Sequence, residues 1–352
     1  MVSARRTVAV TAALLASPAA APAHAQTATP LGIVEQTFGH FDRDTLTPLA
    51  PSLPLREPHA RPVFSPDERR LALGLSAPGT SNGRVGVWIV DPARVKVLHE
   101  VVTGIAAEAV VYPGVVGALL QNGQLVIIDP ASGKIRSRRE IGRTSCAPDA
   151  VQTATRGVIV NEIGRDTVEV TIVDPRGKIH TLRLPLETID RNCRKVGLAA
   201  DATRVYVTTA HRIAAIDPVT RHVDIRRATG GTDADVVPGG LAVAGSAGLT
   251  VVDTTTWKTS WRDRTARNVL TQANTVVGTG TGTVTARDAR TGRLLWRAPG
   301  AAQAVAAGRV YAQPAVLDLA TGKQVGTHPP VFSAIRFVIN RKTDRVLLGA
   351  PG

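Results

Sequence analysis

Aromatic residues make up only 3% of the 352-residue chain, so it has few of the stacking platforms on which single-stranded nucleic acid is held, and no sequence-specific nucleic-acid partner is expected. Two cysteines are present, Cys146 and Cys193. Neither has a Cys or His neighbour at metal-ligand spacing, so no metal site is expected. The eight histidines are scattered, and no HExxH pattern occurs. No G-x-S-x-G elbow occurs either, although Ala244-Gly245-Ser246-Ala247-Gly248 comes near it. Gly278-Thr279-Gly280-Thr281-Gly282 lacks the Lys-Ser/Thr of a phosphate loop and reads as a hairpin turn. Past the first 25 residues, no apolar run approaches the roughly 18 to 20 residues of a membrane-spanning helix. Helical periodicity is nearly absent as well. With 43% hydrophobic residues, 32 Gly and 23 Pro, the chain has core material punctuated by turns, the composition of many short strands.

The first 25 residues read as an export signal. Arg5 and Arg6 precede a short apolar run from Val8 to Ala16, and Ala23-His24-Ala25 forms a small-residue cleavage site. Cleavage between Ala25 and Gln26 would give a secreted, extracytoplasmic domain over 26–352. The paired arginines leave both the general and the twin-arginine routes open.

Basic residues dominate: 42 Lys plus Arg against 28 Asp plus Glu, a net charge of +14. Losing Arg5 and Arg6 with the signal lowers this to +12. Such a field draws polyanions in a salt-dependent way. Arginine also outnumbers lysine 35 to 7, and Ala, Gly and Val abound, so drift toward GC-rich codons accounts for the same balance. The sequence shows no dense basic run.

A unit recurs along the chain: a short apolar strand ending in Asp, a turn, and a more polar strand. Val87-Trp88-Ile89-Val90-Asp91-Pro92, Leu125-Val126-Ile127-Ile128-Asp129-Pro130 and Val170-Thr171-Ile172-Val173-Asp174-Pro175 are three copies. Others end at Asp217, Asp253, Asp288 and Asp318, with a weaker one at Asp42. The seven intervals from Asp42 to Asp318 average about 39 residues, the length of a four-stranded propeller blade. The physics of the turn fits. An Asp carboxylate accepts N–H bonds two residues on, and Gly tolerates the positive φ that a tight turn requires. The predicted fold is an all-β propeller of four-stranded antiparallel blades, with eight blades favoured. Seven stay possible because Asp288 and Asp318 are only 30 residues apart. Residues 332–349 read as the first two strands of a blade and 33–49 as the last two, so pairing the two ends would close the ring without an exposed edge.

Two motifs carry a family resemblance. Ala286-Arg287-Asp288-Ala289-Arg290-Thr291-Gly292-Arg293-Leu294-Leu295-Trp296 resembles the repeat of pyrroloquinoline-quinone-type propellers, in which the Trp docks between blades. Asp253 to Trp261 keeps the same Asp-to-Trp spacing. Phe64-Ser65-Pro66-Asp67 with Arg70-Leu71 resembles the strand-turn-strand element of WD-like and YVTN-type propellers. The whole is similar to exported actinobacterial propellers with quinone-like repeats, a group that implies a fold and no defined activity. Trp261 and Trp296 are thereby expected to be blade-docking aromatics. Quinoprotein dehydrogenases of this superfamily use adjacent cysteines, a calcium site and an Asp base. Here the cysteines are far apart and no calcium loop occurs, so no quinone and no catalytic residue is expected.

Cys146 and Cys193 stand 12 residues before Val158 and Val205, matching points of successive repeats. In an exported protein they are expected to form a disulfide, which would stabilise by about 4 kcal/mol on the chain-entropy account. Two buried thiols are the alternative. Polar residues gather around them: Arg143, Asp149, Asp190, Arg191, Arg194 and Lys195. These fall in connections between outer and inner strands, the kind of loop that carries function on a propeller face. The functional expectation is a monomeric, non-enzymatic binding or scaffold module for a protein or an anionic envelope polymer. A hydrolase or lyase at the central channel and a purely structural envelope role are the alternatives.

Overall fold

The computed structural model describes residues 31–34, 37–54, 63–67, 69–75, 86–104, 106–141, 149–162, 167–186, 196–227, 231, 233–327, 336–340 and 345–349, with backbone alone at 31–34, 75, 106–107, 149, 161–162, 336–340 and 345–349. Among these residues every regular element is a strand, and no helix is long and apolar enough to cross a membrane.

Seven antiparallel four-stranded sheets follow one another along the chain: 63–102, 106–140, 149–184, 197–227, 233–263, 268–299 and 302–327, here blades 1 to 7. Each is a meander in which consecutive strands pair. The first strand of each blade lies beside the first strand of the next, and the series continues from blade 7 to the strand Arg336–Asn340. That makes eight inner strands around one axis. Blade 7 is complete despite its short repeat, because its strands are joined by turns of two residues at 307–308 and 313–314.

The second and third strands of a blade are apolar on both faces because each face packs on a neighbouring blade. Val115–Leu120 and Val168–Val173 are buried at every position. Each hydrophobic cluster is shared between successive blades. Val87 and Ile89 of blade 1 pack with Val111, Val116 and Val126 of blade 2, and Val170 and Ile172 of blade 3 pack with Val205, Val207 and Ile216 of blade 4. The ring is therefore held by inter-blade cores, with no central one. Outer strands have one face in water, and Ile135–Glu140 is exposed from Arg136 onward.

The eighth blade is built from both ends of the chain, but with one strand more than the sequence implies. Arg336–Asn340 pairs with Arg345–Gly349. Thr37–Phe41 and Pro48–Pro54 form the expected outer hairpin. In addition Leu31–Val34 pairs antiparallel with Thr37–Phe41 and lies beside Arg345–Gly349. The closing blade thus has five strands in place of four, the extra one being the apolar Leu31-Gly32-Ile33-Val34 segment, which bridges the two chain ends. Phe38 and Leu53 of this blade pack on Phe64, Leu71, Leu73 and Val90 of blade 1.

Candidate functional site

The eight anchor aspartates all stand where the third strand turns into the outer one. Their carboxylates accept backbone N–H groups two to four residues on: Asp44 and Thr45 at Asp42, Ala93 and Arg94 at Asp91, Ala131 at Asp129, and Arg176 and Lys178 at Asp174. Val219 and Thr220 do so at Asp217, Thr255 and Thr256 at Asp253, Thr291 at Asp288 and Thr321 at Asp318. These bonds hold the carboxylates of Asp42, Asp129, Asp217, Asp253 and Asp288 below the usual range; at Asp42, Asp129 and Asp288 the largest cause is a side-chain hydrogen bond, from Thr45, Arg136 and Thr291, and at Asp217 and Asp253 it is the backbone N–H of Thr220 and Thr256. Every such turn also contains one residue in the left-handed region. Gly fills it at 133, 177, 292 and 322, but Leu46, Val95, Arg221 and Trp257 fill it in the other four, with φ between 49° and 66°.

Next to the turns lies an inter-blade lock. The Trp261 Nε1–H donates to the Ala289 carbonyl of the next blade at 2.9 Å, and the Trp296 Nε1–H donates to the Leu319 carbonyl at 2.7 Å. Each indole covers the turn glycine: a Cβ at Gly292 would lie 2.6 Å from Trp261, and one at Gly322 2.5 Å from Trp296. His99 fills the same slot in blade 1. It stands eight residues after Asp91, its Nε2–H meets the Ala131 carbonyl at 2.9 Å, and its ring covers Gly133. The constant interval of eight is the signal that would have found it.

Blade 7 has Gly326 in that slot and locks differently. Arg309, only 11% exposed, places Nε 2.6 Å from Asp44 Oδ1 of the closing blade and Nη1 3.1 Å from Asp318 Oδ2. The Tyr311 hydroxyl donates to the Arg43 carbonyl at 2.9 Å, and burial pushes its ionisation well above the usual phenol range. This latch joins residues 265 to 268 positions apart.

Inner strands have one edge with no strand partner. Polar side chains from neighbouring inner strands meet part of it. Gln152 accepts from the Val111 N–H at 3.0 Å and donates to the Phe64 carbonyl, tying blades 1, 2 and 3 together. Asp233 accepts from the Val269 N–H at 2.8 Å, the Thr271 hydroxyl donates to Asp235, and Gln272 accepts from the Gly308 N–H at 3.2 Å. Sequence reasoning missed this belt. Its trace is a polar residue inside or ending an otherwise apolar inner strand.

Among the described residues no group of three His, Cys, Asp or Glu converges as a metal site would require. Besides the anchors, Asp201 and Asp263 are also lowered. At Asp263 burial works against ionisation, but bonds from Thr265 and Arg287 outweigh it and bring it to about 2. The upward shifts fall on the buried tyrosines Tyr112, Tyr206 and Tyr311.

Of the residues selected from sequence, Arg143, Cys146, Asp190, Arg191, Cys193, Arg194 and Lys195 lie outside the described residues, as do Ala25 and Gln26. Asp149 opens the inner strand of blade 3, paired with Val160. The connections bearing these residues, 141–148 and 185–196, run from outer strands to the next inner strands. Their ends therefore lie on one face of the ring, opposite the anchor turns. That face is uneven. The connections of eight or more residues on it are 328–335, 55–62, 76–85, 141–148 and 185–196, from the exit of blade 7 through the closing blade to the entry of blade 4, whereas those from blade 5 to within blade 7 are two to four residues long, at 246–247, 264–267, 281–282, 300–301 and 313–314. Connections on the anchor-turn face are two to six residues long.

The chain matches no protein-family model and no curated protein. Its likeness is to solved structures. BamB from Moraxella catarrhalis superposes with a TM-score of 0.58 at 18% identity, covering 83% of this chain and 96% of that one. AztD from Citrobacter koseri gives 0.58 at 13% identity, covering 91% and 96%. The dihydro-heme d1 dehydrogenase NirN, in complex with DHE, gives 0.58 at 17% identity, covering 88% and 75%. At these identities the likeness is one of fold: the chain is an eight-bladed β-propeller.

Proposed function

We propose that this propeller is an exported, non-enzymatic scaffold that holds a protein partner on the face opposite the anchor turns, in the sector of blades 1 to 4. The observation that carries the reading is the unevenness of that face. Connections of two to four residues suffice from blade 5 to within blade 7, and long connections gathered in the remaining sector are where such a scaffold places recognition. Arg143, Asp149, Asp190, Arg191, Arg194 and Lys195 fall on the boundaries of blades 2, 3 and 4 within it.

The same reading includes cleavage after Ala25, a Cys146–Cys193 disulfide and no cofactor. It also takes the repeat as quinone-type, because Asp288 and Trp296 combine the turn and the dock as that repeat requires.

The test is site-specific photocrosslinking in the intact producing cell. A crosslinker at Arg143 or Arg191 should capture one common partner, and one at Arg94 or Arg221, on the opposite face, should not. Equal capture from both faces, or none from either, overturns the reading. Peptide mapping without reductant should show Gln26 at the amino terminus and the 146–193 bridge.

A further inference from the structure

The basic residues that look scattered in the sequence are gathered by the fold. Nine residues after the anchor, blades 2 to 6 carry Arg138, Arg183, Arg226, Arg262 and Arg297. All five are in outer strands and all five are exposed. The three remaining blades have Glu100, Thr327 and Pro51 at that position, so the arginines form one uninterrupted arc over five of the eight blades. The register is not identical throughout. Blades 2, 5 and 6 have a β-bulge between anchor strand and outer strand, which sets Arg138, Arg262 and Arg297 opposite Val126, Thr250 and Thr285. Blades 3 and 4 pair without one, which moves Arg183 along the strand on the same face, opposite Glu169, and turns Arg226 to the other face, opposite Ile213, leaving Arg227 on the face the other four share. Arg227 supplies the cation on the shared face at blade 4, and Arg139 adds one on the opposite face of blade 2.

Two ordinary explanations account for less than this. Codon drift raises arginine everywhere and does not place it in one slot of five consecutive units. Charged side chains on outer strands also guard against edge-to-edge pairing, but either sign serves that end, and here all five are cationic. The partners of Arg138, Arg183 and Arg226 leave their charge available. Arg138 donates to the Thr103 carbonyl, a neutral acceptor, at 3.3 Å. Arg183 and Arg226 face Glu169 at 3.4 Å and Asp224 at 2.9 Å while being 75% and 54% exposed, and exposed pairs of this kind are weak enough to exchange. Guanidinium forks match phosphate oxygens in pairs. The dock holds Trp261 and Trp296 against the neighbouring turns, so this arc offers charge without base stacking, which favours a polymer recognised by its phosphates alone.

We propose that the outer rim of blades 2 to 6 binds a flexible linear phosphate polymer, which lies along the arc and meets one arginine slot per blade. This surface is distinct from the loop-bearing face and does not depend on the protein partner proposed for it.

The probe is fluorescently labelled inorganic polyphosphate of about 60 units, titrated by anisotropy against the full mature protein. Five contacts predict a slope of log K against log salt near −3.5, or a loss of about 100-fold in affinity between 50 and 200 mM salt, taking roughly 0.7 per phosphate for a flexible strand. Substituting all five arginines by Gln should bring the slope near zero, and substituting them by Lys should retain most of it. Arg94→Gln with Arg221→Gln, outside the arc, should leave it unchanged. Circular dichroism and gel filtration confirm that the variants are folded and monomeric. An unchanged slope in the five-Gln variant overturns the proposal, as does absence of binding by the natural chain at 50 mM salt. Tripolyphosphate competing as well as the long chain at equal phosphate concentration also overturns it, because three units cannot span the blades. Loss of binding on substituting Arg143, Arg191 and Arg194, with the rim intact, would move the site to the loop face and refute the rim.

Discussion

Gly322→Ala and Gly282→Ala form a matched pair that isolates the tryptophan lock. Both glycines are left-handed, at φ of 70° and 65°. A Cβ at Gly282 meets nothing within 4 Å, while one at Gly322 would sit 2.5 Å from the Trp296 ring. The left-handed conformation costs an alanine about 1 kcal/mol at either site. At Gly322 the indole must also move. It is 8% exposed, and an indole buries about 200 Å², worth about 5 kcal/mol at 25 cal/mol/Å². Uncovering a third of that costs roughly 1.5 kcal/mol, and losing the bond to the Leu319 carbonyl adds about 1 kcal/mol. Gly322→Ala should therefore destabilise by about 3 to 4 kcal/mol and Gly282→Ala by about 1 kcal/mol. Urea titration followed by circular dichroism measures both, and the emission of Trp296 should shift to the red in the first variant only. Removing the ring supplies the cycle: in a Trp296→Leu background, Gly322→Ala should cost no more than Gly282→Ala. If the two single variants fall within about 0.5 kcal/mol of each other, or if the Trp296→Leu background leaves the cost of Gly322→Ala unchanged, the indole is not what locks blade 6 to blade 7.

Arg221 is exposed and left-handed at φ 66°, so Arg221→Gly should relieve strain and raise the melting temperature by roughly 2 °C, checked by scanning calorimetry. Arg309→Met strands Asp44 and Asp318 without their shared cation and should cost about 2 kcal/mol; protease protection of residues 37–54 should fall with it, and unchanged protection would show that the latch does not hold the closing blade. Asp263 has a folded pKa of about 2, below its unfolded value, so its contribution is complete above about pH 4. That contribution is lost as pH falls from about 4 through 2. Acid titration of stability should steepen in that window, and Asp263→Asn should flatten it.

The anchor turns could be read from sequence because their chemistry is local: Asp288 and the N–H it fixes at Thr291 are three residues apart. The tryptophan lock was legible through its constant interval. His99 hid because a different ring fills the slot. Four turns with Leu46, Val95, Arg221 and Trp257 in the left-handed region were illegible, since nothing in those residue types announces it; the carboxylate bonds and neighbouring blades hold them there. Contacts between distant segments were out of reach altogether. Nothing near Asp44 points to Arg309, and Gln152 serves backbone in two other blades. The third amino-terminal strand escaped notice for the same reason, since Leu31–Val34 has its neighbour at the far end of the chain. The five rim arginines are visible in sequence only once the anchors are aligned.

The eighth blade joins Leu31–Val34 to Arg345–Gly349, so the ring has no privileged starting point. A circularly permuted chain, opened at the exposed Thr281–Gly282 hairpin and linked between its original termini, would convert the composite blade into a continuous one and make blade 6 the seam. Such a permutant should assemble the same disc, with the Arg309 latch formed between segments closer in the chain than the 265 positions that separate Arg309 from Asp44 in the natural order.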